Sequence, residues 1–204
     1  MGLLKSSVSI TRYTVEGRFE SFVYEAVKEG LEKNVIHEID GSPAGQAVGW
    51  TSFENPYKPY FQDSSFSMGT YLIFTFRIDK KKIPSKTVKK YCSLEEARIL
   101  AESEKAFLSQ SEKNQVRDTV EHILFTRTPA VPSLHDVVWN YEESLVWFFT
   151  NLKTANEEFE TLFSKSFNKT LIRLFPYTRA DKLSGLLDAD RDRLNQLSLS
   201  SFIG

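Results

Sequence analysis

The chain has 204 residues, with 26 Lys+Arg against 27 Asp+Glu and a net charge of −1, so any attraction to a polyanion must come from local clustering. That length suffices for one large domain or two small ones with a packed core. A single cysteine, Cys92, excludes an internal disulfide and a cysteine-rich zinc site, no apolar run is long enough to span a membrane, and Lys5, Ser6 and Ser7 interrupt Leu3-Leu4, so a soluble cytosolic protein is expected.

In chain order, Val8, Ile10 and Arg12 alternate with Ser9, Thr11 and Tyr13, which predicts a strand over about 7 to 15. Phe19, Phe22, Val23, Ala26, Val27 and Leu31 recur at helical spacing and predict an amphipathic helix from about 19 to 33. A turn-rich stretch, 38 to 45, leads to a short strand over Val48 to Phe53, and 54 to 69 reads as an irregular loop. In that loop Tyr57, Tyr60, Phe61 and Phe66 are the aromatics best placed to meet a partner. Leu72, Phe74, Phe76 and Ile78 alternate with Tyr71, Ile73, Thr75 and Arg77, the clearest strand of the chain.

A basic stretch follows, and then two helix-start signatures, Ser93-x-x-Glu96 and Ser109-x-x-Glu112, until Thr128-Pro129 stops the helical run. Val137 to Tyr141 and Leu145 to Phe149 flank Glu142-Glu143-Ser144 as a hairpin. Thr154-x-x-Glu157 opens a helix carrying Phe159, Leu162, Phe163 and Phe167, and Leu171 to Phe175 returns as a strand. Asp188 to Arg193 reads as a solvated helix or frayed tail, with Leu197 to Ile203 docked or loose beyond it. The expected class is α+β: two small sheet-plus-helix halves, β-α-β-β and β-β-α-β, joined by a long helical segment, with segments 1–79, 80–133 and 134–204.

Chemistry-bearing residues are sparse. His37, His122 and His135 have no metal-ligand spacing, and no catalytic signature accompanies Cys92. No phosphate-binding glycine loop is present, so neither a metal, a cofactor nor a catalytic group is expected. Asp136, Glu142, Glu143, Glu157, Glu158 and Glu160 are the densest acids, but a turn and a helix start account for most of them. Positive charge is concentrated instead: Arg77, Lys80, Lys81, Lys82, Lys86, Lys89 and Lys90 stand against one acid, Asp79. On charge alone this is either a solvated connection or a phosphate-binding ridge, with Arg127, Arg173 and Arg179 as weaker additions.

Gly49-Trp50, Ile83-Pro84-Ser85-x-x-Val88-Lys89, Lys113 and Asp118-x-Val120-x-His122-x-Leu124-x-x-Arg127 resemble the bacterial recombination-associated family RdgC, over about residues 45 to 176. The resemblance implies a homodimer that closes into a ring, binds double-stranded DNA without sequence preference, associates with the nucleoid and restrains the RecA recombinase. The chain ends soon after the Arg173 strand, which implies a short form lacking the family's usual C-terminal portion. It carries Thr126-Arg127-Thr128-Pro129 where the family has Pro-Arg-Ala-Phe, a difference that touches ring closure. Two alternatives stand beside this: a metal-dependent exonuclease using some of Asp136, Glu142 and Glu143, and a protein-interaction module whose ridge meets an acidic partner.

Overall fold

The structure, a computed structural model, describes residues 2–17, 19, 22–62, 65–103, 105–185 and 187–196. The elements are β1 (Thr11–Glu16), α1 (Val23–Lys33), β2 (Gln46–Thr51), β3 (Ser67–Met68), β4 (Tyr71–Lys80), α2 (Ser85–Glu102), α3 (Gln110–Arg127), β5 (Val131–Asn140), β6 (Leu145–Phe148), α4 (Lys153–Phe167), β7 (Thr170–Arg173), α5 (Pro176–Ser184) and α6 (Asp188–Gln196).

The α+β class holds, while the strands expected in two small sheets join in one antiparallel sheet of order β2-β4-β5-β6-β1-β7, with β3 beside β4. Two pairings fuse the groups. β4 and β5 run together from Tyr71↔Asn140 to Lys80↔Val131, and β1 inserts between β6 and β7. Separate three-stranded sheets would leave four edges of unpaired amides and carbonyls, and one sheet leaves two.

Alternation sends Leu72, Phe74, Phe76 and Ile78 to the face that α1 and α4 cover. From α4, Phe159, Phe163 and Phe167 recur every four residues and pack onto Trp50, Phe74, Phe76, Trp139 and Phe148; Phe148 and Phe159 stack at 4.1 Å between ring centres. Trp50 Nε1 donates to Ser166 Oγ at 2.7 Å, so even this buried indole is satisfied. Gly49 has a steric reason to be glycine, since a Cβ there would stand 2.4 Å from the Ile36 backbone, where Val35 bridges Trp50.

Several boundaries differ from the sequence expectation. The helix after the basic stretch begins at Ser85, directly after Pro84, so Ser93 lies inside α2 and its hydroxyl donates to Lys89 O instead of capping. Thr154 likewise falls within the first turn of α4, whose cap, Leu152, makes no side-chain bond. The box at Ser109 and Glu112 forms as expected. Phe61 and Phe66, expected in the loop as partner contacts, are core residues, and Phe66 stacks on Tyr24; Tyr57 and Tyr60 are exposed. Asp188 to Arg193 is helical, and Leu197 to Ile203 lies outside the described residues.

The two helices α2 and α3 occupy the connection between the paired ends of β4 and β5. They pack on each other, and α2 buries none of its 18 residues. This pair is an arm on the sheet rather than a layer over it. Among the described residues no helix is long and apolar enough to cross a membrane.

Candidate functional site

The basic stretch divides by strand geometry. Arg77, Asp79 and Lys81 alternate onto the same side, and neighbouring segments fold over it. Arg77, 4 % exposed, donates through Nε and one Nη to Asp79 at 2.8 and 2.6 Å, through Nη2 also to Glu38 at 3.1 Å, and through Nη1 to Pro56 O at 3.3 Å. Lys81, 6 % exposed, donates through Nζ to Ser42 O and Phe125 O, both at 2.7 Å, tying the 39–45 turn and the end of α3 to the sheet. These two sequence-predicted phosphate contacts are internal struts: burial obliges a cation to find partners inside, and both have done so.

Lys80 is half-buried at the end of β4, whereas Lys82, Lys86, Lys89 and Lys90 are exposed. The last three share one side of α2 by their spacing and occupy its first two turns. A cation in the first turn, as Lys86 is, is unfavourable at that end of a helix because the unpaired amides are already partly positive. No side chain caps α2 and its first turn contains no acid, so nothing of its own offsets the charge.

A cleft of about 620 Å3 runs between α2 and α3, with Val88, Cys92 and Phe125 in its apolar part and Lys89, Lys113 and Arg117 on its walls. Lys113 thus joins the lysines of α2 from the opposite helix. It was absent from the sequence-based set, although its i, i+4 spacing to Arg117 was visible. Burial, with Glu96 adding to it, pushes the Cys92 thiol above its usual range, which keeps it protonated.

Among the described residues, Lys82, Lys86, Lys89, Lys90 and Lys113 have no ion-pair partner, while on α2 and α3 Arg98 pairs with Glu95 and Glu102 and Arg117 with Glu121, and Lys105, in the connection between the two helices, pairs with Glu112. Paired and open cations are interleaved on the arm, since the Arg117–Glu121 pair and Glu96 line the same cleft as unpaired Lys89 and Lys113. Arg127 is exposed at the C-terminal end of α3, where a cation suits the dipole. Arg173 and Arg179 are not part of this surface: four strand spacings, roughly 19 Å, separate β7 from β4. Arg173 pairs with Glu160 at 2.9 Å and touches the Tyr13 hydroxyl at 3.3 Å. Burial, reinforced by Glu160, pushes that hydroxyl's pKa upward.

The acids do not converge. Asp136 accepts from Leu3 N at 2.6 Å and Thr75 Oγ1 at 3.1 Å on the face of the sheet opposite α1 and α4, roughly 13 Å along β5 from the turn that carries Glu142 and Glu143. No group of three or more metal-ligating side chains is found among the described residues. His37 and His122 are exposed, and His135 is held between Phe76 and Phe148, where burial lowers its pKa with Asp136 partly opposing.

A family model described as "Putative exonuclease, RdgC" matches residues 9–184, from just ahead of β1 to the end of α5. The chain belongs to the RdgC family. The match takes in the whole seven-stranded sheet, both covering helices and the arm, so it extends well beyond the segment on which the sequence resemblance rested. No curated protein matches the chain.

Proposed function

We propose that the protein binds double-stranded DNA without sequence preference, through Lys82, Lys86, Lys89, Lys90 and Lys113 at the root of the arm, with Lys80 and Arg127 at its margins. The observation that carries this reading is the open charge just described: five exposed lysines without acid partners in a chain of net charge −1. Lysines are flexible point charges suited to phosphates, whereas base reading favours arginine, asparagine or glutamine carried into a groove. A phosphate at the start of α2 would also relieve the unfavourable placement of Lys86 in its first turn.

Exposed Tyr91, Leu94, Phe107 and Ile123 on an arm with so little burial support a homodimer in which a second copy covers it. Occupying duplex as a nucleoid-associated dimer is the means by which such a protein restrains RecA, with no chemistry of its own. The description of the family favours a second reading, a metal-dependent exonuclease that would draw on Asp136 and Glu143.

One titration separates these. If the five lysines each neutralise one phosphate, log affinity for duplex falls against log salt with a slope of roughly −4.5. Lys82→Glu, Lys86→Glu and Lys90→Glu together should weaken binding to every duplex sequence alike and flatten that slope, with the far-ultraviolet spectrum unchanged. Wild-type affinity indifferent to salt, or a folded triple variant that binds as well as the parent, defeats the proposal. Labelled duplex should stay intact with magnesium or manganese; degradation abolished by Asp136→Ala or Glu143→Ala establishes the second reading.

A further inference from the structure

The face of the sheet opposite α1 and α4 carries a groove that the lysine surface does not use. It encloses about 410 Å3 between Arg12 and Thr14 of β1, Leu145 and Trp147 of β6, Leu174 and Arg179, with Glu143 at its rim. The register sets Arg12 directly across from Trp147 and Thr14 across from Leu145. Its floor is apolar and half-open: Leu145, Trp147 and Leu174 are each only partly buried, and one side of the indole rests on Tyr71 at 6.0 Å.

Its rim carries two arginines, Arg12 and Arg179. Arg77, Arg98, Arg117, Arg173 and Arg191 each pair with an acid, whereas exposed Arg12 and Arg179, like Arg127 on the arm, have no hydrogen-bond or ion-pair partner for their side chains among the described residues. A guanidinium is a planar fork that matches a carboxylate with two parallel hydrogen bonds. Two unopposed forks above a leucine and tryptophan floor call for a ligand that offers carboxylates and an apolar side chain together. Duplex DNA offers phosphates but keeps its apolar surface stacked inside. A single strand would need a free aromatic face, and here Tyr71 takes part of the indole while leucines bound the rest.

We infer that this groove docks a short acidic segment of a partner protein. Its carboxylates meet Arg12 and Arg179, and a Leu-, Ile- or Phe-sized side chain rests on Leu145, Trp147 and Leu174. A volume of about 410 Å3 falls within the usual range of ligand sites, roughly 300–1,000 Å3, and suits one or two such side chains. Glu143 repels acid at its own end and so orients the segment, with its acids toward the arginines.

The inference does not depend on DNA binding, and its test leaves every arm lysine in place. A pooled library of hexapeptides with Asp or Glu at three positions and Leu, Ile, Val, Phe or Trp at two is selected on the full chain. A selected peptide is then titrated by tryptophan fluorescence, which reports Trp147 because Trp50 and Trp139 are sealed in the core. Acid-apolar peptides should enrich, and replacing their acids by Lys, or their apolar residues by Ala, should weaken binding at least tenfold. Arg12→Glu and Leu145→Ser, each verified as folded by circular dichroism, should do the same. No enrichment over the Arg12→Glu, Leu145→Ser double variant overturns the inference. So does displacement of the peptide by an oligothymidylate, which assigns the groove to single strands, or conversion of a dimer to monomer by Leu145→Ser, which assigns it to a second copy.

Discussion

At the scale of single residues, the division within the basic stretch matters most. Seven cations lie between Arg77 and Lys90, and charge counting treats them alike. Period two does not: Arg77, Asp79 and Lys81 share a side, and an acid two residues from an arginine on one strand face was a legible sign of an internal pair. What the sequence lacked was the cover over that side, Pro56 from one loop and Phe125 from the far end of α3. Removing one partner of such a pair leaves a buried charge uncompensated, at a cost of about 3–5 kcal/mol. Arg77→Ala should therefore lower the urea midpoint sharply and weaken DNA binding only as far as it unfolds the chain, whereas Lys82→Ala should leave the midpoint unchanged and weaken binding. Equal stability in the two variants contradicts this assignment.

Among the elements, the strands were the most legible, because β4 and β6 carry an alternation that the sheet uses unaltered. The helix starts were less so. Ser93-x-x-Glu96 and Ser109-x-x-Glu112 look alike as strings, but only the second follows a break in the helix; the first is preceded by Pro84, which suits a helix opening and moved the start nine residues upstream. At the genuine cap, Lys105, aided by the Ser109 backbone and hydroxyl, holds the Glu112 carboxyl down to about 2. A depressed carboxyl contributes stability that is complete above its unfolded value near 4.5 and lost as pH falls toward 2. Glu112→Gln should speed amide exchange in the first turn of α3 at pH 7, and the gap between variant and parent should close between pH 4.5 and 2. A gap that persists at pH 2 shows that the charge is not what matters there.

For the whole molecule, the arm is separable from the sheet on geometric grounds. Lys80 and Val131 are direct partners at the end of the β4–β5 ladder, so a two-residue Asn-Gly turn can replace residues 81–130 without lengthening either strand. The armless protein should keep a cooperative melt and lose both salt-dependent DNA affinity and self-association, measured by sedimentation. Loss of affinity with the dimer intact places self-association on another surface. The two-sheet expectation failed at this scale for a related reason: the chain's halves have similar element orders, but register between distant strands leaves no local trace, and it is the β4–β5 ladder and β1 between β6 and β7 that make the halves one.

The position of β1 bears on how the protein is made. It leaves the ribosome before the other six strands, yet both of its sheet partners, β6 and β7, lie beyond residue 144. While β2, β4 and β5 assemble during synthesis, β1 waits with Tyr13 and Val15 unburied, and the sheet becomes complete only when residue 173 clears the exit tunnel. Slowing translation between β1 and β7 should therefore lower the yield of native protein, by lengthening the time for which β1 stays unpaired.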